Sequence, residues 1–123
     1  MITLSALKDQ AQISKLYQKN GIEISENSGC LTASDGENIL GYCLYELDEK
    51  KINILYLEPQ KDLSLADGIL RSTLHLATEK SIMTAFYSKK APEDLFYKLN
   101  FIKDPENKTL DTDKLFKSCI SCK

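Results

Sequence analysis

Two tight-turn signals in the first half of the chain place the strongest limit on how it can fold. Asp35-Gly36-Glu37-Asn38 separates two predicted strands, 28–34 and 38–47, and its glycine holds the first central position of a two-residue hairpin loop. Asp48-Glu49-Lys50-Lys51 separates the second strand from a third, Ile52–Glu58. The sequence therefore predicts a three-stranded antiparallel meander.

A strand register follows from these turns, since a two-residue loop fixes which residues lie opposite each other. The predicted register joins mostly apolar residues in five cross-strand pairs: Cys30 with Cys43, Leu31 with Tyr42, Leu47 with Ile52, Tyr45 with Ile54, and Leu44 with Leu55. Because apolar residues meet in both hairpins, the predicted meander is self-consistent.

Helical periodicity predicts two long helices on either side of the meander. Ser5 can cap the first helix, from about Ala6 to Asn20, and Gly21 can end it. The most periodic segment, Leu63–Lys80, repeats apolar residues at helical spacing. There Ser64 and Asp67 resemble a capping box, which would start the helix at about Leu65.

The rest of the chain predicts short elements. Residues 1–4, 82–87 and 101–103 are typical of strands, and Pro92 suits the first turn of a short helix that runs to Leu99. Asn100 can take the left-handed conformation after that helix.

These elements predict one α+β (mixed α/β) domain over residues 1–123, with a polar C-terminal tail from 105 to 123. We expect a central mixed sheet with helices on both faces, in which the antiparallel meander is followed by a parallel β-α-β crossover.

Composition excludes several classes of protein. The net charge is −2, and the apolar and charged fractions are 42% and 28%, as in ordinary globular domains. We expect no transmembrane helix, no secretory signal and no nucleic-acid partner, because the sequence shows no long apolar run, no export pattern and no basic stripe. Four cysteines without an export signal are typical of reduced thiols in a cytoplasmic protein.

Three segments resemble, in order and spacing, the GNAT superfamily of acyl-CoA-dependent N-acyltransferases. ILYLEP at 54–59 is similar to the family's central strand, and KDLSLADGILRSTLHLA at 61–77 is similar to its loop and following helix. LFYKLNF at 95–101 is similar to its Leu-Tyr-x-x-x-Gly-Phe ending. The resemblance covers roughly residues 28–103.

This resemblance implies acetyl-CoA as co-substrate and a small-molecule or peptide amine as acceptor, with no metal. It implies that the pantetheine arm lies along Tyr56, Leu57 and Glu58, in a gap between strands. The pyrophosphate would then bind six consecutive residues at the entrance of the long helix, where amides are unpaired: Lys61, Asp62, Leu63, Ser64, Leu65 and Ala66. Phe96 would lie beside the cofactor.

The chain departs from the family pattern at catalytic positions. Phe96 stands where many members have a tyrosine that protonates the leaving thiolate, and phenylalanine has no such proton. Tyr97 is the adjacent candidate acid, although one residue turns a helix by about 100°. Glu58 is the candidate base, and Glu46 opposite Asn53 is a second carboxylate that could act through water.

Ser64 replaces a loop glycine, and Asp62 and Asp67 bring negative charge to the expected anion site. These departures leave a second function open: a non-catalytic GNAT-like module that binds CoA or a protein.

The cysteines leave a third function open. Cys119 and Cys122 form a C-x-x-C, and the predicted register brings Cys30 beside Cys43. Four such thiolates could bind zinc, or a pair of them could form a regulatory disulfide, in a thiol- or zinc-regulated partner module, although free thiols are the expected state. The sequence allows a monomer or a homodimer.

Overall fold

The structure is a computed structural model that describes residues 2–113 and 115. Its elements, in chain order, are β1 (Ile2–Ala6), α1 (Gln10–Lys19), β2 (Ser28–Asp35), β3 (Asn38–Leu47), β4 (Ile52–Glu58), α2 (Leu63–Thr78), β5 (Ala85–Tyr87), α3 (Glu93–Lys98), β6 (Ile102–Asp104) and β7 (Thr109–Leu110).

Seven strands form one mixed sheet in the order β1-β2-β3-β4-β5-β7-β6. Only the β4–β5 pair among these neighbours is parallel, with α2 as the crossover between the two strands. The predicted fold class, meander and crossover are confirmed. Strand β7 was not predicted: its two residues lie in the predicted polar tail and fill the space between β5 and β6.

The predicted register is wrong in part, because each hairpin contains a β-bulge. In β3, Leu40 is an extra residue between the pairs Ala33–Gly41 and Ser34–Ile39. Beyond that bulge Cys30 lies opposite Leu44, and Leu31 opposite Cys43. In the second hairpin Leu55 is the extra residue, so Leu44 lies opposite Tyr56 and not opposite Leu55. The predicted pairs of Tyr45 with Ile54 and of Leu47 with Ile52 are confirmed.

The shifted register sends the two central cysteines to opposite faces of the sheet, because successive strand residues point to opposite faces. Cys30 packs with Ile13 and Tyr17 of α1, whereas Cys43 packs with Ile69 and other residues of α2. The expectation that Cys30 and Cys43 are cross-strand neighbours is therefore wrong, and both are buried free thiols.

Helix α1 begins later than the sequence predicted. Ser5 and Ala6 belong to β1, where they pair with Thr32 and Leu31, and Asp9 caps the helix by accepting a hydrogen bond from the Ala11 amide at 3.0 Å. The prediction was wrong because serine caps helices but is also tolerated in an edge strand.

The predicted residues that end α1 and α3 are confirmed. Gly21 follows α1 with a φ of 64°, and Asn100 follows α3 with a φ of 63°. Glycine and asparagine accept this left-handed conformation at low cost, so each helix stops where the sequence predicted.

Helices cover both faces of the sheet. α1 packs on one face, while α2 and α3 share a core on the other face with β5 and Phe101. The predicted apolar stripe of α2 is buried, from Ala66 to Ala77. None of the helices in the described part of the chain is long and apolar enough to span a membrane.

Candidate functional site

Strands β4 and β5 separate near the middle of the sheet. Their parallel pairing covers three residue pairs and ends at Ile54 and Tyr87. Ser88 closes it, because its amide donates to the Ile54 carbonyl at 2.9 Å and its hydroxyl donates to the Leu55 carbonyl at 3.4 Å. β4 then continues to Glu58, while the chain after Ser88 leads to α3. The segment Tyr56–Glu58, called here the open segment, consequently has no β5 residue beside it.

The bulge at Leu55 lies at the point where this pairing ends. Leu55 is the extra residue between the pairs Tyr45–Ile54 and Leu44–Tyr56. A bulge bends its strand and increases the local twist. β4 therefore stays bonded to β3 through the open segment while its other edge loses β5.

Side chains of the open segment divide between the core and a polar cluster. Leu57 is buried against α2, whereas Tyr56 and Glu58 are half-buried. The Tyr56 hydroxyl donates to Glu58 Oε1 at 3.0 Å, and the Tyr42 ring lies 6.1 Å from the Tyr56 ring. Asn20 Nδ2 at the end of α1 donates to the Tyr42 hydroxyl at 3.0 Å.

Both tyrosines in this cluster keep their protons at neutral pH. Burial raises the pKa of Tyr42 and of Tyr56, and the Glu58 carboxylate raises each pKa further. Glu58, the predicted base, is thus held by a hydroxyl donor. Our sequence reasoning missed Tyr42 and Asn20, although the Tyr-x-Glu spacing of 56–58 already puts two polar groups on one side of a strand.

Asp62 and not Ser64 caps α2, which begins two residues before the predicted start. Asp62 Oδ1 accepts from the Leu65 amide at 3.1 Å, and the Asp62 carbonyl accepts from the Ala66 amide at 2.9 Å. Asp67, the predicted partner of Ser64 in a capping box, binds Arg71 Nε at 2.7 Å. The prediction was wrong because aspartate and serine are both good caps, and the apolar pattern fits either start.

Two amides in the first turn of α2 remain available to an anion. Helix geometry gives the amides of Leu63 and Ser64 no acceptor within the helix, and both residues are exposed, as is Lys61. The Asp62 carboxylate lies among these groups and opposes a bound anion. The helix entrance therefore offers a positive dipole end that its own cap partly neutralises.

Phe96, at the family's acid position, and Tyr97, the candidate acid, point in different directions from α3. Phe96 is fully buried, with its ring 5.2 Å from that of Tyr87, while Tyr97 is 51% exposed. The Tyr87 hydroxyl donates to Glu93 Oε2 at 2.5 Å. Burial and this bond raise the pKa of Tyr87 far above its ordinary value, so Tyr87 is a poor proton donor.

Lys90 connects the turn after β5 to the end of α1. Its Nζ donates to the Gly21 carbonyl at 2.6 Å, next to Asn20 of the polar cluster. This contact ties the two loops that flank the open segment on the α1 face.

Other candidate sites lie away from the open segment. A cavity of about 810 Å³ lies at the β3–β4 turn, and a groove of about 460 Å³ lies between β1 and α2. His75 is exposed on α2, with Nε2 3.1 Å from Glu79. Within residues 2–113 and 115, no three His, Cys, Asp or Glu side chains are grouped so that they could hold a metal.

Cys30 and Cys43 lie on opposite faces of the sheet, so these two thiols cannot belong to one four-thiolate site. Burial raises the pKa of Cys30 and of Cys43 to about 12, so both are protonated at neutral pH. Cys119 and Cys122 lie outside the described residues.

Comparison with known proteins identifies the fold. No family model and no curated protein match the sequence. Solved structures do match, among them a GNAT-family acetyltransferase from Streptococcus pneumoniae TIGR4, with a TM-score of 0.56, 17% identity and coverage of 84% of this chain and 88% of that one. The chain has the GNAT fold.

Two further structures with the GNAT fold cover most of both chains. The ribosomal-protein-alanine N-acetyltransferase from Brucella melitensis biovar Abortus 2308 matches with a TM-score of 0.61 and 12% identity, over 85% of this chain and 94% of that one. A predicted acetyltransferase from Clostridium acetobutylicum, solved with acetyl-CoA, matches with a TM-score of 0.58 and 17% identity, over 86% and 93%. At such identities the likeness concerns the fold.

Proposed function

We propose that the chain is an acyl-CoA-dependent N-acetyltransferase that moves the acetyl group of acetyl-CoA to an amine. The open segment Tyr56–Glu58 carries this proposal, because its backbone can bond an extended pantetheine arm much as a sheet edge bonds an added strand. A structure of the same fold was solved with acetyl-CoA, which supports this ligand class.

The proposed reaction needs little chemistry from side chains. The amine nitrogen attacks the thioester carbon, a C–N bond forms, the C–S bond breaks, and the amine loses one proton. A backbone N–H of the open segment would hold the thioester oxygen as charge develops on it. Glu58 would take the proton, directly or through water, since its carboxylate already lies at this segment.

The leaving thiolate lacks a side-chain acid at position 96. A thiolate conjugate to a thiol with a pKa of about 8.5 can take its proton from water near neutral pH. Tyr97 stays a proposal as an acid, and its exposure on α3 would require the cofactor to reach that side of the helix. We expect slow turnover that depends mainly on the alignment of the two reactants.

The pyrophosphate would bind at the entrance of α2. Lys61 supplies a cation, and the Leu63 and Ser64 amides supply donors, whereas the Asp62 carboxylate repels the ligand. Affinity for CoA should therefore be limited by one identifiable charge.

Thermal shift and calorimetry with acetyl-CoA test this proposal. A ligand that binds the folded chain raises its stability by RT ln(1 + [L]/Kd), so millimolar acetyl-CoA should raise the melting temperature. Asp62→Asn keeps a capping side chain but removes the charge, and should bind acetyl-CoA roughly 2- to 5-fold more tightly.

Asp67→Asn is the matched control. It makes the same change of charge one turn further along α2, where the carboxylate is already paired with Arg71, and should leave the affinity for acetyl-CoA unchanged. The absence of any stabilisation by millimolar acetyl-CoA would contradict the proposal.

A non-catalytic module with the GNAT fold is the second candidate, favoured by the carboxylate cap on α2 and by the buried Phe96. Assays of acetyl transfer to an alanine-initiated peptide and to sisomicin separate the two functions, because structures of this fold include a ribosomal-protein-alanine N-acetyltransferase and an aminoglycoside acetyltransferase in complex with sisomicin. Binding of acetyl-CoA without transfer to either amine would favour the module.

A further inference from the structure

The two edges of the sheet differ in how well they are protected against pairing with another strand. β6, at one edge, has three residues, includes Lys103 and Asp104, and is followed by Pro105. Short length, charge and proline are the usual means by which proteins block an edge. β1, at the other edge, has five exposed residues, ITLSA, and contains no charge, proline or glycine.

The outward-facing backbone groups of β1 can be assigned from one hydrogen bond. The Leu7 amide donates to the Cys30 carbonyl at 2.7 Å. Because bonded and non-bonded pairs alternate along an antiparallel ladder, Ser5 and Thr3 also bond toward β2. Ile2, Leu4 and Ala6 therefore direct their N–H and C=O groups away from the sheet.

We propose that β1 pairs antiparallel with β1 of a second copy of the chain, with Leu4 opposite its own counterpart on the two-fold axis. This register places Ile2 opposite Ala6, so the three outward residues map onto themselves. Each of the three resulting pairs exchanges two backbone hydrogen bonds. An isologous contact of this kind closes after two copies.

The side chains of β1 suit the same register. Ile2 and Leu4 are 52% and 39% exposed. Leu4 lies opposite Ala33, which is buried in the core on the α2 face, and Ile2 is two residues away on the same strand. Both side chains therefore lie on the α2 face of the sheet. Leu4 also lines the groove between β1 and α2, together with Leu31 and Leu76. Two such strands bring apolar side chains together, and residues 2–6 bring no like charges.

Pairing through β1 leaves the open segment free. β2 and β3 lie between β1 and β4. At the ordinary strand spacing, β1 is therefore about 14 Å from β4, which carries the open segment. The dimer and the proposed enzyme activity can therefore be tested independently.

Disulfide trapping tests the register in the full chain with Cys119 and Cys122 replaced by serine. Leu4→Cys should form a covalent dimer under mild oxidation, because the Cα atoms of a hydrogen-bonded pair lie about 5.5 Å apart, within the range of a disulfide. Ile2→Cys is the matched control: it is on the same face and more exposed, but the two copies of residue 2 lie about 14 Å apart along the strand.

We expect cross-linking of Leu4→Cys to be at least ~10-fold faster than that of Ile2→Cys, whereas random collision would favour the more exposed cysteine. Light scattering of the unsubstituted chain at about 100 µM should give twice the 13.9 kDa chain mass. Equal cross-linking rates, or a mass of one chain, would overturn the dimer.

Discussion

Tyr17 joins α1 to the sheet through its hydroxyl, which lies 2.7 Å from the Gly29 carbonyl and 2.8 Å from the Tyr45 carbonyl. The side chain is 1% exposed, so removing this donor leaves buried carbonyls short of a partner. We expect Tyr17→Phe to lower the free energy of unfolding by about 1–3 kcal/mol in urea denaturation. Tyr97→Phe, at an exposed position, should change it by less than ~0.5 kcal/mol, and equal effects would contradict the assignment.

Single extra residues explain why the register could be predicted only in part. The turns at Gly36 and Glu49 are where the sequence places them, but Leu40 and Leu55 are bulged. Apolar side chains flank each bulge, so the shifted and unshifted registers both match apolar with apolar residues. Hydrophobic pattern alone cannot detect such a shift.

At the scale of elements, the start of α2 can be tested by its cap. Asp62→Ala removes the acceptor of the Leu65 amide and should lower the free energy of unfolding by about 1 kcal/mol. Ser64→Ala should have an effect of less than ~0.5 kcal/mol, since Ser64 lies inside the first turn. Urea denaturation of both variants measures the difference, and a larger loss for Ser64→Ala would restore the cap that the sequence predicted.

The β4-α2-β5 unit shows how much of the candidate site the sequence contains. Periodicity predicts the two strands, the helix and their parallel order, and these are confirmed. The separation of the strands was implied only by resemblance to a family, because it depends on the bulge at Leu55 and on Ser88 closing the ladder. The cluster of Tyr42, Tyr56 and Glu58 joins two strands, so local spacing could reveal only its β4 half.

At the scale of the whole molecule, one buried thiol on each face of the sheet makes folding sensitive to alkaline pH. Burial raises the pKa of Cys30 and of Cys43 from 9.0 to about 12 in the folded chain. Above pH 9 the unfolded chain therefore binds fewer protons than the folded chain, and stability falls as pH rises.

Each of these thiols should lower the free energy of unfolding by up to about 1.4 kcal/mol per pH unit once the pH exceeds the pKa of the thiol in the unfolded chain. Urea denaturation between pH 8 and 9 should show the onset of this fall, because the buried tyrosines, whose ordinary pKa is about 10, contribute mainly above pH 9. Cys43→Ala removes one titrating group and should roughly halve the slope, even though it also lowers stability at neutral pH. A free energy of unfolding that stays constant from pH 8 to 10 would mean that both thiols are accessible to solvent in the folded chain. That result would contradict their burial in the cores on the two faces of the sheet.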